Sequence, residues 1–96
     1  MEVAEMQLML AAAGSATVVS VAWTEPVVPT QVMIIPSEVL NTGTITYSIS
    51  RDNGITWTVC PGSTVVDISA QPSGTQVRWK AVLTNDSKLS AIAISI

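Results

Sequence analysis

Residues 50–57 read SRDNGITW and separate two runs in which apolar and polar side chains alternate, residues 44–50 and residues 55–59. Alternation with a period of two is typical of a β-strand that buries one face. Asn53 and Gly54, between the runs, carry turn chemistry because both residue types accept a positive φ. The stretch therefore predicts a β-hairpin closed by an Asn-Gly turn, with Ile45, Tyr47 and Ile49 on one face of its first strand and hydroxyl side chains on the other.

The chain from residue 15 onward repeats this pattern. Val, Ile and Thr, which favour strands, make up a third of the sequence. Short alternating runs recur about every ten residues, a spacing typical of a sandwich or barrel. We therefore predict an all-β fold, a sandwich or a barrel, over residues 15–96. Its strands, about seven in number, are expected at residues 17–24, 31–35, 44–50, 55–59, 63–69, 75–84 and 89–96. Residues 19, 21 and 23 are expected on one face of the first strand, and residues 77, 79, 81 and 83 on one face of the sixth.

Prolines and tryptophans set further expectations for these strands. Pro36 is expected to end the second strand, because proline cannot donate to a ladder, and residues 37–43 are expected to form a loop with a half-turn of helix. Trp23 and Trp79 fall on apolar strand faces and are expected in the core, whereas Trp57, directly after the turn, is open to either a core or a surface position. The lone Cys60 is expected to be a small buried hydrophobe.

Residues 1–14 form a separate N-terminal arm or helix in this interpretation. Met, Leu, Ala, Glu and Gln are good helix formers, and Gly14 would end such a helix. This composition favours a short helix. Met6, Leu8 and Leu10 also alternate, which leaves open an extended arm, a contact between subunits, or a terminal strand docked on the sheet.

Composition excludes several classes of function. The four basic residues stand singly in a chain of net charge −3, whereas a nucleic-acid site needs a clustered basic face. No apolar run is long enough to span a bilayer, and no basic segment opens a secretory signal. With no histidine, one cysteine and scattered carboxylates, we expect no catalytic residues, no metal site and no cofactor.

The stretch at 50–57 also carries a resemblance. Ser50, Asp52, Gly54, Thr56 and Trp57 occupy every fixed position of the Asp-box pattern, Ser/Thr-x-Asp-x-Gly-x-Thr-Trp, which is familiar from β-propeller sialidases. In those enzymes the motif is a structural hairpin far from the active site. A sialidase is not expected here, because those enzymes carry several Asp-boxes and an arginine triad, whereas this chain has one box and two arginines.

A second resemblance covers residues 17–96. The order of residues 27–32, 50–58 and 66–81 resembles β-modules of tail fibres and other virion proteins of tailed bacteriophages. This resemblance implies a small jelly-roll-like antiparallel β-sandwich, commonly in a trimer, in the tail or a fibre of an extracellular virion. Its implied partners are other virion subunits and, for host attachment, a host-surface glycan. The residues expected to contact such a glycan are Tyr47, Arg51, Asp52, Asn53 and Trp57, with Arg51 and Asn53 exposed.

Two alternatives remain beside this expectation. The chain is also compatible with a virion assembly or decoration protein that binds no ligand and packs on its neighbours. It is compatible as well with a carbohydrate-binding accessory module of a larger glycoside hydrolase. A shell-like lattice of subunit contacts would distinguish the first alternative, and a catalytic domain in the same chain would distinguish the second.

Overall fold

The computed structural model describes residues 3–11 and 14–96, which form two antiparallel β-sheets packed as a sandwich. The described residues contain no helix, and therefore none long and apolar enough to cross a membrane. The strands are β1 (Val3–Ala11), β2 (Ser15–Val19), β3 (Trp23–Thr24), β4 (Gln31–Val39), β5 (Ile45–Ser50), β6 (Thr58–Val59), β7 (Val65–Asp67), β8 (Gln76–Thr84) and β9 (Lys88–Ser95).

The strand order is that of a jelly roll. One sheet has the order β1-β9-β4-β7, and the other has the order β2-β8-β5-β6 with β3 added to β8. Successive strands therefore pass repeatedly from one sheet to the other, as in double-sheet jelly rolls, where most ladders join strands far apart in sequence. The predicted antiparallel, jelly-roll-like β-sandwich is confirmed.

The core lies between the two sheets and follows the alternation in the sequence. The inward residues of β8 are Val77, Trp79, Ala81 and Leu83, and all four are buried, as predicted. Trp23 is half-buried and packs against the same cluster. Buried hydrophobic residues of the cluster are Val32, Ile34, Tyr47, Ile49, Cys60, Ile68, Val77, Trp79, Ala81, Leu83, Leu89, Ile92 and Ile94.

The helix favoured for the N-terminal segment is wrong. Residues Val3–Ala11 form β1, which pairs antiparallel with β9 and places Met6 opposite Ile92. Local helix propensity is a weak preference, and the hydrogen bonds offered by a neighbouring strand override it. The docked terminal strand is thus the alternative that the structure adopts. The division of the chain at residue 14 stays a prediction.

Pro36 does not end the second strand, and the loop expected at residues 37–43 begins later, because β4 continues to Val39. The Ile34 carbonyl points away from β9 and accepts the amide of Ser63. Alternate residues of a strand direct their backbone groups to the same side, so those of Pro36 also point away from β9. Pairing of β4 with β7 stops at Met33. The missing N–H of Pro36 therefore points to a side where no ladder continues, which is where a strand tolerates proline.

The strand predicted at residues 17–24 is interrupted. Both β2 and β3 pair with β8, with Val19 opposite Lys80 and Trp23 opposite Val77. The chain between Val19 and Trp23 is therefore one residue longer than the segment of β8 that it faces. Ser20 takes up the irregularity, since its Oγ accepts the Trp79 amide at 2.9 Å. The side chain replaces a ladder carbonyl, as at a β-bulge, and the predicted sharing of one face by residues 19, 21 and 23 is wrong.

Candidate functional site

The predicted hairpin is present, but its connection is longer than a two-residue turn. β5 pairs with β6 through Ser48–Val59 and Ile49–Thr58, which leaves residues 51–57 as a loop. Asn53 and Gly54 have φ of 63° and 88°, so the expected turn chemistry is confirmed. The strand expected at residues 55–59 is shorter than predicted, because only Thr58–Val59 forms β6, and Ile55 lies in the loop and is 83% exposed.

Two side chains organise this Asp-box loop (residues 50–57). Ser50 Oγ accepts the amide of Gly54 at 2.9 Å and donates to Asp52 Oδ1 at 2.6 Å. Asp52 Oδ1 also accepts the amide of Thr56 at 2.8 Å. Partial burial opposes ionisation of Asp52, but the hydrogen bonds from Ser50 and Thr56 outweigh it and lower the pKa of this carboxyl. Asp52 therefore holds the loop as a carboxylate.

Arg51 is a structural residue, and the prediction that it is exposed is wrong. Its side chain is 4% exposed. The guanidinium donates to backbone carbonyls from two separate segments, which lets a buried cation replace its lost hydration. The acceptors are the carbonyl oxygens of Pro29 at 2.9 Å, Ser69 at 3.1 Å, Pro72 at 3.1 Å and Gln71. Gln71 also accepts the Arg51 amide at 2.8 Å.

Tyr47 lies in the core and not on the surface. It is 3% exposed, and its hydroxyl donates to Glu38 Oε2 at 3.2 Å. Burial, reinforced by the Glu38 carboxylate, raises the pKa of Tyr47 far above its ordinary value. Since the inward row of β5 holds this ring between the sheets, Tyr47 is not brought together with the surface of the Asp-box loop.

Asn53 and Trp57 are the two predicted contact residues that reach the surface together. Asn53 is exposed and Trp57 is half-buried. The ammonium of Lys80 lies 4.5 Å from the centre of the Trp57 ring, a cation–π distance. Arg78 Nε donates to Asn53 Oδ1 at 2.9 Å. We call these four residues, Asn53, Trp57, Arg78 and Lys80, the cationic face; it belongs to the outer side of the β2-β8-β5-β6 sheet.

Arg78 and Lys80 were not among the predicted contact residues, although the sequence contained a signal for them. They alternate with the buried residues of β8, so both point outward from the same strand. What the sequence did not contain was the distance between this strand and the Asp-box loop. The backbone N–H of Asn53 donates to the Gln76 carbonyl at 2.9 Å. This bond holds the loop next to the two cationic side chains.

The outer side of the other sheet is a second candidate surface. Its central strands, β4 and β9, align Met33, Ile35, Ala91 and Ala93 outward, and Val65 extends the row on β7. We call these five residues the apolar face. The charged residues described on this side lie away from its centre: Asp67 on β7 pairs with Gln31, and Lys88 pairs with Val39 where β9 begins. Ile35 is 40% exposed and Val65 is 61% exposed.

A shallow pocket of about 390 Å³ adjoins the apolar face at Met33 and Val65. No acidic or basic residue of the described part of the chain lines it; its polar members are Thr30, Gln31 and Ser95. Elsewhere in residues 14–96, no three His, Cys, Asp or Glu side chains converge as metal ligands would. The pocket offers apolar contact and a few hydroxyl and amide groups.

Comparison of the chain with protein-family models, with curated proteins and with solved structures found no match. The candidate surfaces are therefore judged on their own geometry. The cationic face presents an aromatic ring with two cations, and the apolar face presents five uncharged side chains.

Proposed function

We propose that the chain is a non-enzymatic structural module of a tailed-phage virion, in the tail or a fibre, which packs on further copies of itself. The apolar face carries this proposal. Met33, Ile35 and Val65 present aliphatic side chains where β4 and β9 offer no charge. Contiguous apolar surface of this kind is typical of contacts between proteins.

Three other features support a structural role. Charged residues make up 11% of the sequence, against about 25% in ordinary soluble domains. The jelly roll recurs in viral capsid and lectin domains, and this supports the proposal by analogy of fold. The order of motifs along residues 17–96, together with the single Asp-box, resembles phage virion modules.

Light scattering on the purified chain tests the packing role. We expect an oligomer, with a trimer favoured, that dissociates in Ile35→Lys because a lysine in the apolar face would have to be desolvated on association. Thr46→Lys is the matched control, since Thr46 is exposed on the outer side of the other sheet, and it should leave the mass unchanged. A circular dichroism spectrum establishes that each variant is folded.

Two results together would overturn the proposal. One is a wild-type chain that stays monomeric at high concentration. The other is absence of the chain from purified particles, tested with an antibody raised against it. An oligomer that Thr46→Lys disrupts and Ile35→Lys does not would instead contradict the use of the apolar face.

A second function, contact with a host-surface glycan, is favoured by the cationic face. Trp57 keeps part of its indole in solvent next to the exposed amide of Asn53. Aromatic rings pack on the apolar faces of sugars, and amides bond to hydroxyl groups. We expect Asn53→Ala to reduce retention of the chain on a glycan array without changing its mass, whereas a wild-type chain that binds no glycan would exclude this second function.

A further inference from the structure

We propose that the cationic face binds an anionic saccharide, one that carries carboxylate or sulfate groups. This inference rests on the glycan contact proposed above and deepens it, because it names the class of glycan. Arg78 and Lys80 would meet the anionic group, and Trp57 and Asn53 would meet the sugar ring beside it.

The charge distribution is the first step of the argument. Of the four basic residues, Arg51 is buried against backbone carbonyls, and Lys88 lies at the start of β9 in the other sheet. The remaining two, Arg78 and Lys80, lie two residues apart on the same side of β8. The described contacts of these two cations are those of Arg78 with Asn53 and Ser20 and of Lys80 with the Trp57 ring, and none of them involves a carboxylate. Both cations are thus available to an anion from outside.

Free donors at this face are the second step. Arg78 donates from Nε to Asn53 Oδ1 and from Nη1 to the Ser20 carbonyl at 3.3 Å. No described residue accepts a hydrogen bond from its Nη2. This leaves part of the guanidinium free for a carboxylate or sulfate oxygen, and the bonds to Asn53 and Ser20 hold it in place beforehand. The Asn53 bond also leaves the amide nitrogen of that side chain free to donate.

The surroundings of Lys80 are the third step. Lys80 pairs with Val19 on one side and with Ser48 on the other, and Ser48 in turn pairs with Val59. The four residues form a row across the sheet in which Lys80 carries the one charge. Val19 is 46% exposed and Val59 is 58% exposed. Apolar neighbours lower the local dielectric and strengthen attraction of an anion, while the half-buried Trp57, over whose ring Lys80 lies, leaves part of its indole exposed to a sugar ring.

The size of the site separates a saccharide from a nucleic acid. A protein that follows a phosphate backbone neutralises many phosphates with many cations, whereas this face offers two. Two cations next to one indole and one amide suit a single acidic sugar unit with its neighbouring hydroxyl groups. A single-stranded oligonucleotide is therefore the competing ligand that the experiment must include.

Titration of the isotope-labelled chain, followed by NMR, tests the inference. The probes are a galacturonate hexasaccharide, a heparin hexasaccharide, neutral maltohexaose and a single-stranded oligonucleotide. We expect both acidic sugars to shift the amides of residues 53, 57, 78 and 80, and to bind more weakly at higher salt. Lys80→Gln should weaken this binding by about fivefold to tenfold, as loss of one partly exposed charged contact does. Lys88→Gln, with the same change in charge, is the matched control and should bind like the wild type.

Each contrary result has a distinct meaning. Equal binding of maltohexaose, or equal weakening by Lys88→Gln, would overturn the anionic preference and leave glycan contact in place. Tighter binding of the oligonucleotide than of either acidic sugar would identify a nucleic acid, and not a saccharide, as the ligand. Absence of all binding would overturn the glycan contact itself. Light scattering on the same samples reports the packing role separately, because Lys80 lies on the sheet opposite the apolar face.

Discussion

The hydroxyl of Ser50 donates a 2.6 Å hydrogen bond to Asp52 Oδ1, and these two side chains hold the Asp-box loop together. The same hydroxyl accepts the Gly54 amide, and the same carboxylate oxygen accepts the Thr56 amide. Loop amides that have no cross-strand partner are thereby satisfied by side chains. The shape of the loop, and with it the position of Trp57, depends on Ser50 and Asp52.

Asp52→Asn should destabilise the fold in a pH-dependent way. Since the folded state lowers the pKa of Asp52, the carboxylate contributes stability above its unfolded pKa of about 3.9, and this contribution disappears as pH falls through the lower folded pKa. We expect the free energy of unfolding of the variant to be about 1 kcal/mol lower than that of the wild type at pH 7, because the charge-assisted hydrogen bonds become neutral ones. In acid the two free energies should become similar.

Urea unfolding from pH 7 down to strongly acidic pH measures this difference. The matched control is Asp86→Asn, which removes the same charge from an exposed turn residue with a positive φ that asparagine also accepts. A loss that is the same at every pH, or that Asp86→Asn reproduces, would contradict the role given to the Asp52 carboxylate.

Arg51→Lys should be among the most damaging conservative changes in the chain. A lysine ammonium cannot reproduce the planar fork of donors, so carbonyls such as those of Pro29 and Pro72 lose their partner in a buried setting. We expect the free energy of unfolding to fall by about 2–4 kcal/mol in chemical denaturation. Arg78→Lys, at a half-buried surface position, should cost less than about 1 kcal/mol, and equal losses for the two variants would refute this assignment.

Gly43→Ala should destabilise the turn between β4 and β5 by steric conflict. A Cβ at residue 43 would lie 1.8 Å from the backbone oxygen of Thr84, so the two backbone segments would have to move apart. We expect a loss of about 2 kcal/mol or more in thermal or chemical unfolding. Gly14→Ala is the control, since a Cβ there meets nothing within 4 Å. Similar stability of the two variants would show that the turn has room for the methyl group.

Cys60 should be unreactive in the folded protein. Its side chain is 0% exposed, and burial raises the pKa of the thiol to about 11. We expect no reaction with a thiol reagent at mildly alkaline pH and full reaction after addition of urea. Stability should also fall as pH rises past about 8.5, because only the unfolded thiol ionises there. The control is Cys60→Ser, which abolishes the urea-dependent signal, whereas rapid labelling of the native wild type would contradict the burial.

Much of the fold was predictable from the sequence because it follows from local alternation. The period of two identified the inward residues of β8, including Val77 and Trp79, from their spacing alone. The same reasoning failed where a strand partner, and not the chain itself, decides the conformation. Residues 3–11 became a strand through β9, and Pro36 is accommodated because β7 ends before it.

The candidate site was predictable only in part. The Asp-box pattern identified Ser50 and Asp52 and the turn at Asn53, since their bonds lie within a few residues of each other. The surface around these residues was not predictable, because the exposure of a side chain depends on segments far away in sequence. Arg51 is buried by carbonyls of residues 29 and 69–72, and Lys80 covers Trp57 from another strand.

The sequence by itself determined that this protein is all-β, which residues of its strongest strands face inward, and that a turn at Asn53 and Gly54 follows β5. These properties depend on neighbours in the chain, whose spacing and chemistry are written in order. Only the tertiary structure decided which charged and aromatic residues share a surface. That depends on the jelly-roll pairing of distant strands, which brings Arg78 and Lys80 to the Asp-box loop and leaves the side of β4 and β9 around Ile35 without charge.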